Sequence, residues 1–155
     1  MIPPAVACAA TGFQHGRYRV TVFETQNSSG PHSQKPHVLH VCTRDVLRPV
    51  RDQILRVAGY NVDSSETHEE ALTKTKSNRY DLVLIDIDSQ HHVRDAEELC
   101  SAVKTADPEQ RVAFVCNWRV AILNECPDDI VRSEFDPVAF LTGVAAALNG
   151  KEQGN

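Results

Sequence analysis

Residues 81–88, Asp-Leu-Val-Leu-Ile-Asp-Ile-Asp, constrain the fold more than any other segment of this chain. Apolar residues run without alternation into the carboxylates Asp86 and Asp88. Such a run is typical of a strand buried on both faces, as in a parallel sheet covered by helices. Because open α/β sheets bind their ligands at the carboxyl ends of strands, the two carboxylates indicate a site.

Length and charge limit the classes of function. The chain has 155 residues, of which 41% are hydrophobic and 24% charged, which fits one globular domain. The net charge of −5 gives no electrostatic signal for nucleic acid or an anionic membrane surface. No apolar stretch approaches the roughly 20 residues needed to span a bilayer, so we expect no membrane association.

The cysteines predict a reducing environment. There are five of them, an odd number at irregular spacing and without a C-x-x-C pair: Cys8, Cys42, Cys100, Cys116 and Cys126. This pattern predicts neither a disulfide framework nor a zinc ribbon. Cys42 and Cys116 lie in apolar runs, where a free cysteine usually behaves as a small buried hydrophobe. We therefore expect a cytoplasmic protein.

The chain divides into a leader, a domain and a tail. Residues 26–36 are rich in Ser, Gly, Pro, Asn and Gln and cannot bury enough apolar surface to become ordered. We interpret residues 1–36 as a flexible, mostly disordered leader, with at most one short strand at 17–24. Residues 37–150 form the folded domain, and 151–155 are a tail.

Within the domain, strands and helices alternate. Strands are predicted at 38–42, 60–63, 82–87, 112–116 and 130–132. The first helix should pack through Leu47, Val50, Ile54 and Val57, and the last through Leu141, Val144, Ala145 and Leu148. Right-handed crossovers between the strands then place helices on both faces of one parallel sheet.

Local signals mark where the helices begin and end. Thr43 or Asp45 could cap the first helix, and Gly59 should end it. Thr67 and Glu70 have the spacing of a capping box. The dipeptide 136–137, Asp-Pro, supplies a cap and a proline at the first position of the last helix.

Four segments resemble the receiver domain of two-component response regulators. They are Val-Leu-His-Val at 38–41, Ala-Gly-Tyr at 58–60, Tyr-Asp-Leu-Val-Leu-Ile-Asp at 80–86 and Phe-Asp-Pro at 135–137. The resemblance covers about residues 37–148. It implies an α/β, flavodoxin-like, doubly wound five-stranded parallel sheet of order 2-1-3-4-5. The segment between Cys116 and Ser133 is about five residues shorter than in the family, so a shortened fourth helix is expected at 120–124.

The resemblance also implies a chemistry. In receivers an aspartate accepts a phosphoryl group from a histidine kinase, and Mg²⁺ neutralises the phosphate oxygens. The family supplies an acidic pair after the first strand, a Ser or Thr after the fourth and a Lys after the fifth. Carried over by position, Asp86 is the phosphoacceptor and Cys42 and Thr43 replace the acidic pair. Cys116 replaces the Ser or Thr, and Ser133 (or Arg132, if the register slips by one) replaces the Lys.

These replacements predict a degenerate site. Cys42 and Thr43 bring no formal charge, so Mg²⁺ would lose most of its anionic ligands. Asp88 could offer one further carboxylate, and Arg44 in the first loop could take the vacant cation position beside Asp86. We therefore expect no catalytic residues, no resident metal and no cofactor, with Mg²⁺ relevant only if Asp86 is phosphorylated.

Other reactive or aromatic side chains carry weaker signals. His91 and His92 after the third strand, and the looser group of His32, His37 and His40 with Cys42, could suggest a metal site. An exposed polar loop explains them better, because ligand clusters are usually more widely distributed. Trp118 after the fourth strand either anchors a partner or packs over the acidic pocket.

Together these features predict a stand-alone, degenerate receiver-like domain (a pseudo-receiver) of a bacterial phosphorelay that acts through protein–protein interaction. With the chain ending at Asn155, no output domain is expected, so a signal must pass through a protein partner, such as a histidine kinase, or a homodimer. One alternative is a functional single-domain response regulator phosphorylated on Asp86. Another, a small flavodoxin-like cofactor-binding protein, is disfavoured because no Gly-rich loop follows the first strand.

Overall fold

The computed structural model describes residues 34–150. In chain order the elements are β1 (His37–Val41), α1 (Leu47–Val57), β2 (Asn61–Ser65), α2 (His68–Ser77), β3 (Leu82–Ile87), a 3-10 helix (Gln90–His92), α3 (Val93–Ala106), β4 (Val112–Cys116), β5 (Asp129–Arg132) and α4 (Pro137–Asn149). Most of the predicted leader, its strand at 17–24 and the tail at 151–155 lie outside the described residues. No helix within residues 34–150 has the length and apolar character needed to cross a membrane.

The five strands form one parallel sheet in the order β2-β1-β3-β4-β5, which confirms the predicted fold class. The register aligns His40 with Leu84 and Val41 with Ile85. On the other side of β3, Asp86 is aligned with Val115, and Cys116 of β4 is aligned with Arg132 of β5. The carboxyl ends of β1, β3, β4 and β5 therefore meet at one edge, next to Asp86.

Alternating side chains divide the core into two layers. One layer contains Leu39, Val83, Ile85 and Phe114 and packs against Leu99 and Val103 of α3. The other contains Val38, Leu82 and Leu84 and packs against Leu55 of α1 and Phe140 of α4. Because side chains two residues apart along a strand share a face, His40, Cys42 and Asp86 project toward the second layer.

The predicted core face of α1 holds for Leu47 and Ile54, which are partly buried, and is wrong for Val50 and Val57. Val50 and Val57 are exposed, whereas Arg51, Asp52 and Leu55 are buried. The helix turns these polar residues inward because their charges have buried partners on the sheet, and burial of a charge is tolerated when it is paired. No side chain caps α1, whose N-cap is Val46, so neither Thr43 nor Asp45 caps this helix.

The remaining helix signals agree with the structure. Thr67 accepts a hydrogen bond from the Glu70 backbone N–H at 3.1 Å, and Asp136 accepts one from Val138 at 2.9 Å. The chain leaves α1 through Gly59 at φ 97°, a left-handed conformation that favours glycine. In α4 the buried residues are Phe140, Val144 and Ala147, with Leu141 and Leu148 partly buried.

The connection between β4 and β5 differs from the prediction. Residues 117–128 contain turns and irregular backbone in place of the shortened helix expected at 120–124. The Arg132 guanidinium donates to the carbonyl oxygens of Asn117 and Val120, both at 2.7 Å, and so ties the connection to β5. These bonds satisfy carbonyl groups that helical hydrogen bonds would otherwise take up.

A disulfide bond between Cys100 of α3 and Cys126 holds the far end of this connection. The expectation of a chain without disulfides was therefore wrong for this pair. Cysteine count and spacing missed it because the two cysteines are 26 positions apart, and the chain passes through β4 before it returns to α3. Cys42 and Cys116 are free and buried, as predicted.

Candidate functional site

The carboxyl edge of the sheet contains a pocket of about 330 Å³ that includes Asp86. The strand ends contribute its floor, and the loops after β1 and β5 contribute its walls. Its lining residues are Arg44, Leu47, Arg51, Asp86, Ile87, Asp88, Cys116, Asn117, Arg119, Ser133, Glu134 and Phe135. Asp86, Asp88, Cys116, Ser133 and Arg44 of the predicted site are thus brought together.

The Asp86 carboxylate is held by a cation from α1. Its side chain is 5% exposed, and Oδ2 forms an ion pair with the guanidinium of Arg51, itself 7% exposed. Arg51 also donates to the Glu134 carbonyl oxygen at 3.4 Å, and its guanidinium lies 5.2 Å from the centre of the Phe140 ring. The residue proposed as phosphoacceptor is therefore already neutralised by a group of the protein.

Arg51, and not Arg44, occupies the cation position. Arg44 was expected to reach Asp86 from the first loop, but it is exposed and forms no ion pair within residues 34–150. The loop after β1 directs Arg44 into the open pocket. One turn into α1, Arg51 projects toward the sheet and meets the carboxylate.

A second buried carboxylate orients His40. Nδ1 of His40 lies 2.7 Å from Oδ1 of Asp52, while Nε2 lies 3.5 Å from Oδ2 of Asp86. The other oxygen of Asp52 accepts a hydrogen bond from the Ser64 hydroxyl of β2. The imidazole thus lies between two carboxylates and forms a hydrogen bond with only one of them, that of Asp52.

Burial and pairing act in opposite directions on these groups. Burial favours neutral His40, but the hydrogen bond with Asp52 and the nearby Asp86 carboxylate outweigh it and raise the pKa of His40. Burial likewise disfavours the Asp52 carboxylate, yet its bonds with His40 and Ser64 outweigh that and lower the pKa of Asp52. The pair favours a proton on the imidazole and a charge on the carboxyl group.

Cys42 and Thr43 stand where the resemblance places an acidic pair. Cys42 is buried, and burial together with the charge of Asp86 raises the pKa of its thiol to about 11. Thr43 is exposed. Neither supplies an anionic oxygen, so this end of β1 lacks the carboxylates that Mg²⁺ prefers.

The other predicted site residues line the pocket, but their polar groups already have partners within the protein. Burial raises the pKa of the Cys116 thiol, although the Arg132 guanidinium 3.4 Å from its sulfur opposes the shift. Ser133 is buried after β5, and its hydroxyl lies 3.4 Å from the Asp136 carbonyl oxygen. Asp88 pairs with Nδ1 of His92 at 2.5 Å.

The histidines and the tryptophan that carried weaker signals in the sequence lie in different parts of the structure. His91 and His92 are exposed, and His37 lies 3.1 Å from Asp63, away from the pocket. His32 lies outside the described residues. Trp118 is 75% exposed, and the Arg132 guanidinium lies 5.7 Å from its ring centre, so it does not cover the pocket.

Sequence reasoning missed Arg51 and Asp52 and undervalued His40. A signal was present, because Leu55 continues the helical stripe of Arg51 and Asp52 at spacings of four and three residues. The alternation of β1 also places His40 and Cys42 on one face. A hydrophobic pattern alone favoured Val50 and Val57, and so rotated the predicted helix.

No protein-family model and no curated protein sequence matches the chain. Solved structures do. The chemotaxis response regulator CheY4 of Vibrio cholerae superposes with a TM-score of 0.63 at 19% identity, over 74% of this chain and 99% of CheY4. The response regulator TrrA of Thermotoga maritima, in complex with Mg²⁺ and BeF, gives 0.61 at 22% identity, over 72% and 98%.

A receiver protein from Sinorhizobium medicae gives a TM-score of 0.62 at 22% identity, over 77% of this chain and 98% of that protein. TrrA also matches in its complex with the histidine kinase ThkA, at 23% identity. At identities this low, the similarity shows the fold alone. The order of the five parallel strands agrees with it: the chain has the CheY-like fold of response regulator receiver domains.

Proposed function

We propose that this chain is a stand-alone receiver-like signalling domain, with no enzymatic activity of its own, that acts through protein–protein interaction without Mg²⁺-dependent phosphorylation. The observation that carries the proposal is the buried ion pair between Arg51 and Asp86. A guanidinium on the phosphoacceptor carboxylate occupies the place of an activating cation. It also hinders the carboxylate from attacking a phosphoryl group.

The surrounding residues support this reading. Phosphoryl transfer to a carboxylate needs a divalent cation to offset repulsion between anions. Cys42 and Thr43 supply no carboxylate for that cation, and Asp88 is paired with His92. Ser133 offers a hydroxyl in place of an ammonium group that would hold the transferred phosphate.

An apolar surface beside the pocket suits a protein partner. Val46 and Val50 at the start of α1, and Phe135 and Val138 at the start of α4, are all exposed. A shallow groove between these elements is lined by Leu47, Ile54, Pro137 and other residues. TrrA, which shares the fold, forms a complex with a histidine kinase, so a kinase or another signalling protein of a bacterial phosphorelay is the proposed partner class.

The test is phosphorylation followed by intact mass. The chain is incubated with acetyl phosphate and Mg²⁺ beside a receiver of established activity, and each is examined for an adduct of about 80 Da, the mass of one phosphoryl group. We expect the adduct on the comparison receiver and none on this chain. Arg44→Ala is the matched control for Arg51→Ala, since Arg44 lines the same pocket without contacting Asp86.

An adduct on the wild type that Asp86→Asn abolishes would contradict the proposal. It would establish the second candidate, a functional receiver phosphorylated on Asp86, which has in its favour that this carboxylate lines an open pocket. An adduct only in Arg51→Ala would show that the guanidinium is what blocks the reaction. Binding of flavin by the purified chain would instead support the cofactor-binding alternative.

Two further parts of the proposal are tested separately. A homodimer through the apolar surface would appear by light scattering, and Phe135→Glu should dissociate it. The proposed cytoplasmic location conflicts with the Cys100–Cys126 disulfide, because disulfides are rare in that compartment. Alkylation of thiols in intact cells shows whether Cys100 and Cys126 are reduced or joined there.

A further inference from the structure

Three side chains at the ends of β1 and β3 form a compact group of metal-ligand atoms. A ring nitrogen of His40, the sulfur of Cys42 and a carboxylate oxygen of Asp86 all lie within 4.8 Å of one another. His40 and Cys42 are buried, and 5% of the Asp86 side chain is exposed. The first two share one face of β1, and the third lies on the neighbouring strand.

One of these atoms lacks a partner. Nε2 of His40 is a buried side-chain nitrogen without a hydrogen bond among the described residues, and it faces Asp86 at 3.5 Å. The imidazole is completely buried, so bulk water does not reach this nitrogen. A buried polar atom left in this way is costly unless a ligand completes it.

The opposite side of the ring has the arrangement that metal-binding histidines use. Nδ1 of His40 hydrogen bonds with Asp52 at 2.7 Å, and Asp52 is fixed in turn by Ser64. A carboxylate in this position holds the proton on Nδ1, directs the Nε2 lone pair toward the metal and makes the imidazole a stronger ligand. Asp52 and Ser64 therefore already hold His40 in the orientation that a metal ligand needs.

From this geometry we propose that His40, Cys42 and Asp86 bind a zinc-class divalent transition metal ion. Imidazole, thiolate and carboxylate together favour Zn²⁺ or Co²⁺ over Mg²⁺, which prefers oxygen ligands alone. In tetrahedral zinc sites the ligand atoms are about 3.3–3.8 Å apart, given metal–ligand distances of about 2.0–2.3 Å. Binding would therefore draw the present group together by up to about 1 Å. Water from the pocket beside Asp86 supplies the fourth ligand.

The local charges permit such an ion next to Arg51. Metal binding releases the proton of the Cys42 thiol and the Nε2 proton of His40 to solvent, after which the Cys42 thiolate and the carboxylates of Asp86 and Asp52 carry three negative charges. The divalent ion and the Arg51 guanidinium carry three positive charges, so the buried group is neutral. The Asp86 oxygen that Arg51 contacts is Oδ2, which also faces Nε2 of His40, so the carboxylate shares this oxygen between the guanidinium and the metal or turns to offer Oδ1.

The inference goes beyond the proposed function and does not depend on it. A soft metal held by one histidine and one thiolate replaces the all-oxygen Mg²⁺ site that phosphorylation would need. Metal affinity and phosphoryl acceptance are measured in different experiments. Either result can therefore fail without the other.

Cobalt titration of the full, metal-stripped chain tests the site. We expect one equivalent of Co²⁺ to produce the intense d–d bands of a tetrahedral ion and a thiolate-to-cobalt charge-transfer band, both removed by Zn²⁺ and unaffected by excess Mg²⁺. Cys42→Ser, a nearly isosteric change, should abolish the charge-transfer band and weaken binding at least tenfold. Asp52→Asn should weaken binding by about 10- to 100-fold, as loss of a supporting carboxylate does elsewhere.

Cys116→Ser is the matched control, because Cys116 lies on the same sheet edge but outside the ligand group. It should retain the complete cobalt spectrum. Zn²⁺ should also raise the melting temperature of the wild type and of this control, and by clearly less that of Cys42→Ser. A wild-type chain without a charge-transfer band, or a band that persists in Cys42→Ser, would overturn the inference.

Discussion

The guanidinium of Arg51 on α1 and the carboxylate of Asp86 on β3 form an ion pair that is almost completely buried. The pair joins a helix to the central strand of the sheet, at the position that the resemblance to receiver domains predicts for a phosphoacceptor. Its members depend on each other, since either charge alone would be left in a poorly solvated site. Stability and site chemistry are coupled here.

Arg51→Ala should therefore be strongly destabilising. We expect the free energy of unfolding, measured by urea denaturation, to fall by about 3–5 kcal/mol, because the substitution leaves an uncompensated buried charge. The double variant Arg51→Met with Asp86→Asn should recover most of that loss. Arg44→Ala, at an exposed position of the same pocket, should change stability by no more than about 0.5 kcal/mol. Equal losses for Arg51→Ala and Arg44→Ala would contradict the buried pair.

Gly143 of α4 is required by close packing against β5. A Cβ at this position would lie 2.5 Å from Cγ1 of Val131, which is buried. Gly143→Ala gains up to about 1 kcal/mol of helix propensity but pays about 1–3 kcal/mol for overpacking, so we expect a lower melting temperature. Thr142→Ala, exposed on the same helix, should be neutral or stabilising. A more stable Gly143→Ala variant would show that α4 can move away from the sheet.

Asp128 should make stability depend on acid pH. Its carboxylate is partly buried, which raises its pKa, but bonds from Lys104 at 2.6 Å and the Val112 backbone N–H at 2.8 Å outweigh burial and lower it. A depressed pKa stabilises the fold above the ordinary value near 3.8, and that contribution is lost as the pH falls through the folded-state pKa.

Asp128→Asn should thus cost about 1–2 kcal/mol at pH 7, and the difference from the wild type should shrink below about pH 4. Urea denaturation at several pH values gives the comparison. Asp95→Asn, at an exposed position of α3, is the control and should follow the wild type throughout. A cost for Asp128→Asn that stays constant into acid would argue against the pKa shift.

The Cys100–Cys126 bond should stabilise the oxidised protein. Closing a loop with a sequence separation of 26 is worth about 3 kcal/mol in chain entropy. A reductant, or Cys100→Ser with Cys126→Ser, should lower the melting temperature accordingly, and Cys126→Ser alone should match the double variant. The double variant should no longer respond to reductant.

Mass analysis provides an independent check on the bond. Without reductant, alkylation of the unfolded chain should leave Cys100 and Cys126 unmodified and label the other three cysteines, Cys8, Cys42 and Cys116. Labelling of Cys100 or Cys126 under those conditions would show that the bond does not form.

The strands β3 and β4 could be predicted because each has a strong local signal. The apolar run at 82–87 and the segment 112–116 became β3 and β4 at the expected bounds. Thr67 and the Asp136–Pro137 dipeptide placed the starts of α2 and α4, since capping involves only neighbouring residues. Sheet order followed from the family resemblance.

The site could be predicted only in part, because its important contacts are between distant residues. Arg51 and Asp86 are 35 residues apart, and periodicity treats an arginine as a surface residue. In the sequence, His40 is one of several positions in an apolar strand. Its role in the site depends on its hydrogen bond with Asp52 of α1. The Cys100–Cys126 bond and the irregular 117–128 connection likewise depend on how far the chain travels before it returns to α3.

That connection is anchored at both ends, by the Arg132 guanidinium near Asn117 and by sulfur at Cys126. A noncovalent loop can exchange one set of contacts for another at small cost. Here, displacing the far end from α3 means cleaving a covalent bond, so in reducing surroundings only noncovalent contacts such as the Lys104–Asp128 pair keep this flank of the domain in place.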